Sequence, residues 1–412
     1  MIALSLYFDS LYGVEPLYSG SICVVGGCGH VGLPLAVALA ASGAEVTAYD
    51  TNSHAVDIVN KGIVPFFEEG LDELLVQELG GGRFKASDDI GLVPASEIVI
   101  IVIGTPVDEH LNPDPTAIRR VLESLRPHLR SGQLLVLRST VYPGVTRMVE
   151  EYISKIEKEI DVVFCPERIA EGHALEELSS LPQIIGARSK QSAERAEHLF
   201  RRLSSSIVHV SPEEAELAKL FTNTWRYIKF AAANQLFMMA NDYGVDFERV
   251  RNAIIKDYPR ASDMPGPGFA AGPCLFKDTM QLAAFNSNQF TLGHASMMVN
   301  EGLPLYLVSR AALRFDLPKL TTGILGMSFK GESDDTRSSL SYKLKHVLEF
   351  RSKEVLCADH NVESDKSLMT EQDLLEKADL VFIGTPHSRY RSMTINKPII
   401  DVWNIRGNGV MI

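Results

Sequence analysis

The segment Ser21-Ile22-Cys23-Val24-Val25, which leads into Gly27-Cys28-Gly29-His30-Val31-Gly32, decides the fold of the N-terminal part of the chain. Its apolar run predicts a buried strand of a parallel sheet, and the alanine- and leucine-rich stretch from about Pro34 to Ser42 predicts a helix. A second strand is predicted over Glu45 to Tyr49, ending at Asp50. The order strand, glycine turn, helix, strand and acid is typical of a dinucleotide-binding unit.

The glycines and the acid have separate predicted roles. The first glycine allows the tight turn, the second lets the backbone approach a pyrophosphate, and the third lets the helix pack on the strand. Asp50 follows Gly32 by 18 residues, close to the roughly 20 expected for the acid that binds the ribose hydroxyls. Because its charge would repel a 2′-phosphate, NAD is the predicted cofactor. The candidate residues of this unit are Gly27, Gly29, His30, Val31, Gly32 and Asp50.

The composition narrows the class of protein. A chain of 412 residues is long enough for two or three domains, and 45% hydrophobic with 22% charged residues is ordinary for a globular protein. The net charge of −12 argues against a nucleic-acid partner or an anionic membrane surface. Since no apolar run reaches the roughly 20 residues of a membrane span, no membrane partner is expected.

The cysteines and the N-terminal residues indicate the cellular compartment in which the protein is expected. The five cysteines lack zinc-ligand spacing and predict unpaired thiols in a reducing cytoplasm, with no bound metal. Residues 1–20 lack the basic start of a signal peptide and carry Asp9 and Glu15. We expect them to form an extension that precedes the first domain.

Polar turns follow three further predicted strands, over Ile98 to Ile103, Leu134 to Leu137 and Val162 to Cys165. Ligands collect at the carboxyl ends of the strands in open α/β sheets, so residues in these turns are candidates for the site. Thr105 and Thr140 follow the first two strands, and Glu167 follows the third. The alternatives are turn and cap chemistry for the threonines and a surface charge for the glutamate.

A long helix is predicted from Ser211 to about Tyr243. Serine caps it, proline fits its first position, and Glu214 completes a capping box. Lys219 and Asn223 share one face with three later residues, Arg226, Phe230 and Asn234. The lysine and the asparagine could stabilise an oxyanion, and the alternative is a polar surface stripe or an interhelical hydrogen bond.

Cys274 lies in the turn Gly272-Pro273-Cys274, four residues before Asp278. A thiol presented on a turn can act as a nucleophile, and the nearby carboxylate can position a proton or a water. Beside a nicotinamide, such a thiol suggests an oxidation that passes through a thioester. The alternative for a lone cysteine is a small buried hydrophobic residue.

A second α/β unit begins near Leu317 and lacks a glycine fingerprint. Its predicted strands cover Gly323 to Met327, Val355 to Ala358, Leu380 to Ile383 and Pro398 to Asp401, and a helix is predicted from Leu340 to Phe350. Lys330 and Arg337 lie in its first strand-to-helix turn and favour an anionic ligand. The predicted fold is α/β, with two Rossmann-like doubly wound domains joined by a helical domain with a long central helix. The predicted boundaries are 1–20, 21–207, 208–316 and 317–412.

These motifs together resemble the nucleotide-sugar 6-dehydrogenases, the family of UDP-glucose and UDP-N-acetylmannosamine dehydrogenases. The resemblance covers roughly residues 21 to 404. Its markers occur in the family's order: 27–34, 65–71 (Pro-Phe-Phe-Glu-Glu-Gly-Leu), 139–141, 166–168, Lys219 with Asn223, 272–274, and 329–330 with 335–337.

The resemblance implies a four-electron oxidation of the C6 alcohol of the sugar to a carboxylate, with two NAD⁺ consumed. It implies catalytic roles for Cys274, Lys219, Asn223, Asp278, Glu167 and Thr140, and contacts to the cofactor from Thr105, Thr140 and Lys277. It implies substrate contacts from Glu167, Arg168, Lys219, Asn223, Arg260, Phe269, Gly272, Phe329, Lys330 and Arg337. Because the family's counterpart of Arg260 reaches the neighbouring subunit's substrate, a homodimer or higher homo-oligomer is expected.

Departures from the family pattern concern the sugar. The family usually has Gly-Gly-x-Cys, whereas this chain has Ala271-Gly272-Pro273-Cys274, and Phe276 replaces a common proline. The motifs favour a UDP-N-acetylhexosamine, such as UDP-N-acetylmannosamine or UDP-N-acetylglucosamine, with UDP-glucose next. Two other functions stay open, a two-electron β-hydroxyacid dehydrogenase and a non-catalytic NAD-binding protein.

Overall fold

The computed structural model describes residues 20–105, 114 and 116–412. The chain divides into two compact units, Met1–Leu220 and Phe221–Ile412. The predicted extension, residues 1–20, lies outside the described residues except for Gly20. No helix in the described part of the chain is both long and apolar enough to cross a membrane.

The first unit is built on one sheet of eight strands. They are β1 (Ser21–Val25), β2 (Glu45–Tyr49), β3 (Phe84–Ser87), β4 (Ile98–Ile101), β5 (Leu134–Leu137), β6 (Asp161–Phe164), β7 (Gln183–Ala187) and β8 (Ile207–Val210). Their order is β3-β2-β1-β4-β5-β6-β7-β8, and neighbours are parallel except for β6 and β7. The first six strands have the order of a Rossmann domain.

Alternate residues of the strands feed two apolar cores. On β1, Ile22 and Val24 belong to one buried cluster, whereas Cys23 and Val25 belong to another. Because side chains of a strand alternate between faces, the sheet is covered on both sides. The helices of this unit are α1 (Gly32–Ala41), α2 (Ser53–Asn60), α3 (Leu71–Gly80), α4 (Thr116–Leu125), α5 (Val145–Ser154), α6 (Ala174–Ser180) and α7 (Lys190–Phe200).

The second unit has a parallel sheet of four strands. They are β9 (Thr321–Leu325), β10 (Glu354–Ala358), β11 (Leu380–Ile383) and β12 (Ile399–Ile400), in the order β10-β9-β11-β12. Its helices are α9 (Phe247–Ile255), α10 (Leu275–Phe285), α11 (Thr291–Arg314), α12 (Leu340–Glu349) and α13 (Glu371–Lys377). The prediction of two Rossmann-like units and a helical part is confirmed.

The long helix α8 covers Pro212–Asp242, and the boundary between the two units falls within it. Its predicted capping box is confirmed, since Ser211 Oγ accepts a hydrogen bond from Glu214 N at 3.3 Å and Glu214 Oε2 accepts one from Ser211 N at 2.7 Å. Four predicted strands were wrong at their C-terminal ends. Two of them, β6 and β12, stop one residue before the predicted end, at Phe164 and Ile400. The strand from Ile98 stops at Ile101, and β9 stops at Leu325 because Gly326 has φ +91° and leaves the extended conformation.

Glu216 on α8 holds the N-terminus of α5. Gly144, the N-cap residue of α5, has no side chain that could accept a hydrogen bond from the first turn. The buried Glu216 carboxylate accepts from Gly144 N at 2.7 Å, Thr146 N at 2.7 Å and Thr146 Oγ1 at 2.6 Å. A glutamate distant in sequence therefore caps this helix.

Replacing Glu216 by alanine should lower the thermal unfolding midpoint measured by calorimetry. The change leaves buried N–H groups without an acceptor, which costs about 1–3 kcal/mol. Glu213→Ala is the matched control, because Glu213 lies one turn earlier on α8 and forms exposed ion pairs with Arg147 and Arg188. Equal midpoints for the two variants would contradict the capping role.

Candidate active site

The glycine turn of the first unit has the shape that a dinucleotide requires. Gly26 and Gly27 donate their N–H groups to Tyr49 O, at 2.8 and 3.1 Å. A β-carbon on Gly27 would lie 2.7 Å from Ala48 Cα, and one on Gly32 would lie 2.1 Å from Gly26 O. On Gly29 it would meet no atom closer than 3.7 Å. The outer two glycines are therefore required by packing, and the middle one faces open space where a pyrophosphate fits.

Asp50 lies directly after β2 and beside this turn. Its Oδ2 accepts a hydrogen bond from Cys28 N at 3.1 Å, and its Oδ1 accepts one from Asn52 N at 3.0 Å. The ring of His30 stacks on Phe66 with centroids 4.3 Å apart, which joins the turn to the 65–71 segment. A carboxylate held at this strand end fits the ribose hydroxyls of NAD.

Thr105 and Thr140 meet at the carboxyl ends of β4 and β5. Thr105 Oγ1 donates a hydrogen bond to Thr140 O at 2.6 Å, and Ile103 N donates to Ser139 Oγ at 2.7 Å. The structure thus brings two predicted site residues together at the edge of the sheet where ligands collect. Whether they contact ligands stays a prediction.

Glu167, at the end of β6, has a buried carboxylate. Its Oε1 accepts hydrogen bonds from Arg168 N at 2.7 Å and Ile169 N at 3.1 Å. Its Oε2 forms an ion pair with Arg138. Burial lowers the pKa of the neighbouring Arg168 guanidinium, which donates to Pro182 O.

Arg138 was not predicted, although it directly follows the apolar residues of β5. Its guanidinium is 1% exposed and lies 4.7 Å from the centroid of Phe200. It donates to Cys165 O at 3.1 Å and Gln183 Oε1 at 3.0 Å. Because the buried Arg138 binds Cys165 O, Gln183 Oε1 and the Glu167 carboxylate, it fixes the turn that carries Glu167.

Glu68 is a second residue whose role the sequence did not predict, although it lies in the 65–71 marker. Its buried carboxylate accepts hydrogen bonds from Gly172 N at 2.8 Å and Ala174 N at 2.6 Å. It thereby caps α6 and holds the turn after Arg168. Lys219, on the part of α8 that belongs to the first unit, is buried as well.

Cys274 occupies the N-cap position of α10 and is exposed. The other four cysteines are buried, and burial raises the pKa of each thiol to about 12. They are Cys23, Cys28, Cys165 and Cys357. Only a thiolate is an effective nucleophile, so these four are poor candidates, while Cys274 sits at a helix N-terminus, which favours negative charge.

Asn223 and Asp278 are brought together in the second unit. The Asp278 side chain is completely buried, and its Oδ2 accepts a hydrogen bond from Asn223 Nδ2 at 2.5 Å. Asp278 N donates to Cys274 O at 2.9 Å, and Lys277 Nζ lies 3.6 Å from Asp278 Oδ1. Asp278 therefore ties the first turn of α10, and with it Cys274, to α8. The predicted contact of Lys277 with the cofactor stays a prediction.

Gly272 adopts a conformation that few other residues could. Its φ is +98°, and a β-carbon there would lie 2.5 Å from Phe329 Cδ2. Its N–H donates to Ser338 O at 3.3 Å. The structure thus joins the cysteine turn to the predicted anion-binding turn after β9.

The two cations of that turn have local partners. Lys330 Nζ lies 5.8 Å from the ring centroid of Phe329. Arg337 pairs with Asp335, Nε to Oδ2 at 2.8 Å, and just over half of its side chain is exposed. Both keep exposed surface for an anion, and their contact with a diphosphate stays a prediction.

The other predicted substrate residues lie apart from this turn. Phe269 is buried against Trp403, with ring centroids 6.1 Å apart. Arg260 is exposed and lies over the ring of Tyr258 at 5.7 Å. Ala271 and Phe276, two departures from the family pattern, line one cavity of about 220 Å³ with Glu301 and Lys343.

One group in the described part of the chain has side chains that could ligate a metal, namely Glu332, His360 and His387. Both ring nitrogens of the buried His387 already have partners. Its Nδ1 accepts from Glu332 N at 3.1 Å, and its Nε2 lies 3.1 Å from Asp359 Oδ2. The geometry is that of a satisfied buried histidine, and the prediction of no metal stays a prediction.

The parallel order of strands, the glycine turn and the acid after β2 define the first unit as an NAD-binding Rossmann domain. The comparisons with known proteins extend this to the whole chain. The UDP-glucose/GDP-mannose dehydrogenase family matches in all three of its parts, the NAD binding domain over residues 20–204, the central domain over 213–301 and the UDP binding domain over 323–408.

Relatives of known activity cover nearly the whole chain. A UDP-N-acetyl-D-mannosamine dehydrogenase of Pyrococcus horikoshii is 30% identical over 89% of this chain and 90% of its own. The solved structure of the P. horikoshii enzyme has a TM-score of 0.86 and covers 93% of this chain and 96% of its own, at 28% identity. A UDP-glucose dehydrogenase structure from Pyrobaculum islandicum has a TM-score of 0.87 at 27% identity and covers 95% of both chains.

The chain belongs to the UDP-glucose/GDP-mannose dehydrogenase family. It is an oxidoreductase, an NAD-dependent nucleotide-sugar dehydrogenase, as the sequence motifs predicted.

Two glycine variants test the dinucleotide turn. Gly32→Ala should destabilise the first unit, because its β-carbon would overlap Gly26 O. Gly29→Ala should leave the unfolding midpoint nearly unchanged but weaken NAD binding about tenfold or more, because its methyl group occupies the space for the pyrophosphate. Calorimetry and titration of NAD measure the two effects. Unaltered NAD affinity in Gly29→Ala would contradict this assignment.

Proposed function

We propose that this enzyme oxidises the C6 hydroxymethyl group of a UDP-sugar to a carboxylate, and that Cys274 carries the sugar between the two oxidations. The observation that carries the proposal is the contrast among the thiols. Cys274 is exposed at a helix N-terminus, and its carbonyl group accepts a hydrogen bond from the backbone N–H of Asp278, whereas the other four thiols are buried.

The chemistry balances as two hydride transfers and one hydrolysis. NAD, when bound to the first unit, supplies an acceptor for the C6 hydride, and two NAD⁺ are consumed per sugar. The first oxidation releases the hydroxyl proton and leaves an aldehyde. The Cys274 thiolate adds to its carbonyl carbon to give a thiohemiacetal, which loses the second hydride to become a thioester. Water then cleaves the C–S bond, giving the carboxylate and restoring the thiol.

Polar residues on α8 are proposed to stabilise the charged oxygen atoms of these steps. Lys219 and Asn223 are both buried, and a donor that contacts a developing oxyanion is worth about 3 kcal/mol. Asn223 also donates to Asp278, so the amide is held in one orientation. Asp278 is proposed to orient this donor and the first turn of α10.

Thr140 and Glu167 are proposed to hold the hydrolytic water. Both follow strands at the carboxyl edge of the first sheet. Glu167 is the proposed general base, and Arg138 with the backbone donors would keep its carboxylate in a fixed position.

The proposed sugar is an N-acetylhexosamine. Support comes from the names of relatives, which are UDP-N-acetyl-D-mannosamine dehydrogenases and an NDP-N-acetyl-D-galactosaminuronic acid dehydrogenase of Ralstonia nicotianae, 28% identical over 92% of this chain. The proposed uridine and diphosphate contacts lie in the second unit, where the family's UDP binding domain matches, near Lys330 and Arg337.

The chain is proposed to form three domains and to assemble into a homodimer. The three matched segments support a division into a Rossmann domain (21–207), a helical domain (208–316) and a second Rossmann-like domain (317–412). A cytoplasmic homodimer is proposed, in which the exposed Arg260 would reach the substrate of the neighbouring subunit.

The ratio of NADH formed to sugar consumed tests the thioester route. The wild-type enzyme should form two NADH for each UDP-N-acetylhexosamine, measured by absorbance and by chromatography of the sugar. Cys274→Ser should form no uronic acid while it still binds NAD, and Cys357→Ala, a buried thiol of the same unit, should keep the ratio of two.

Three other results would contradict parts of the proposed function. A ratio near one would favour a two-electron dehydrogenase, and undiminished acid formation by Cys274→Ser would remove Cys274 as the nucleophile. Turnover of UDP-glucose but not of N-acetylhexosamines would correct the proposed sugar.

A further inference from the structure

A buried amide pair in the second unit has no part in the chemistry proposed above. Asn234 on α8 and Asn300 on α11 are both completely buried. Asn234 Nδ2 donates to Gly268 O at 3.0 Å, and Asn234 Oδ1 accepts from Gly268 N at 2.8 Å. One side-chain amide thus binds both backbone groups of a single residue. Asn234 Nδ2 also lies 2.9 Å from Asn300 Oδ1.

Gly268 is confined on its other side as well. Its φ is +152°, and a β-carbon there would lie 2.3 Å from Cζ3 of Trp403. Side chains other than hydrogen are therefore excluded, and the peptide is held between the Trp403 ring and the Asn234 amide. Gly268 precedes Cys274 by six residues.

The same helix also holds the segment that follows Cys274. Asn223 lies eleven residues before Asn234 on α8, which is three turns of about 3.6 residues, so both point from one face. Asn223 donates to Asp278, four residues after Cys274. Two amides of α8 therefore fix the chain on both sides of the thiol, at Gly268 and at Asp278.

We propose that Asn234 is a positioning residue for Cys274. By holding the Gly268 peptide, it keeps the turn 268–274 in the conformation that presents the sulfur at the start of α10. The proposal rests on the proposed function in one respect, that Cys274 is the reacting thiol. An error of about 1 Å in the place of a reacting group can cost a factor of about 100 in rate, so a loose turn should slow the reaction strongly.

The test compares Asn234→Ala with Asn300→Ala. Asn300 is equally buried and its Nδ2 donates to Tyr227 O at 3.1 Å, but its removal leaves both bonds between Asn234 and Gly268 in place. Steady-state kinetics give kcat and KM for the UDP-sugar in each variant, and the mass of the Cys274 peptide gives the rate at which iodoacetamide alkylates the thiol. The NAD affinity is measured by titration and the unfolding midpoint by calorimetry.

Asn234→Ala should lower kcat about tenfold or more, with KM and the affinity for NAD changed less than about threefold, and should lower the alkylation rate of Cys274 as well. Asn300→Ala should lower the unfolding midpoint about as much as Asn234→Ala does. Its kcat and the alkylation rate of its Cys274 should nevertheless stay close to the wild-type values. If Asn234→Ala does not fold, Asn234→Asp replaces it, because aspartate still accepts from Gly268 N but cannot donate to Gly268 O.

Equal loss of kcat and of alkylation rate in the Asn234 and Asn300 variants would overturn the proposal, since the effect would then be general destabilisation. Unchanged alkylation in the Asn234 variant would overturn it too. That result is independent of the proposed function, which fails separately if wild-type enzyme forms only one NADH per sugar.

Discussion

The functional loops of this enzyme depend on buried carboxylates that accept hydrogen bonds from backbone N–H groups. Burying a charge is costly unless it is paired or hydrogen-bonded, so each such carboxylate selects one loop conformation. Glu68 binds the turn before α6, Glu216 binds the start of α5, and Glu167 binds the two N–H groups that follow it. In the second unit Asp359 accepts from Met327 N and Ser328 N. Burial raises the pKa of Asp359, but the hydrogen bond and charge of His387, together with backbone N–H donors, outweigh burial and lower this pKa to about 2.

The acid Asp359 also explains how the two Rossmann-like units differ. Asp50 and Asp359 follow the equivalent strands β2 and β10, each paired with the first strand of its sheet. Asp50 accepts from one backbone N–H of the glycine turn, through Cys28. Asp359 accepts from three backbone N–H groups, those of Met327, Ser328 and Asn361. It also pairs with His387, so its carboxylate is less able to bind a ribose. This difference is consistent with one dinucleotide-binding unit and one unit of another specificity.

Sequence reasoning succeeded where the physical signal was local. The glycine turn and the capping box at Ser211 each depend on residues a few positions apart, and both are present in the structure. Asp50 follows the glycine turn at the spacing that the dinucleotide motif requires, and it contacts the turn through Cys28 N. It missed Arg138, Glu216 and the role of Asn234, because their partners lie 27 to 72 residues away along the chain. A charged residue directly after an apolar strand, such as Arg138, or an amide on an apolar helix, such as Asn234, indicates that the side chain has a hydrogen-bond partner. The sequence does not identify that partner.

The central claim is that the oxidised sugar becomes bonded to Cys274. Rapid acid quenching of enzyme turning over a UDP-N-acetylhexosamine with NAD⁺, followed by mass spectrometry of the peptide that contains Cys274, tests this most directly. The expected peptide is heavier by the mass of the sugar nucleotide less four hydrogens, as a thioester requires, and it is sensitive to hydroxylamine. An unmodified Cys274 peptide throughout turnover, with acid still produced, would contradict it.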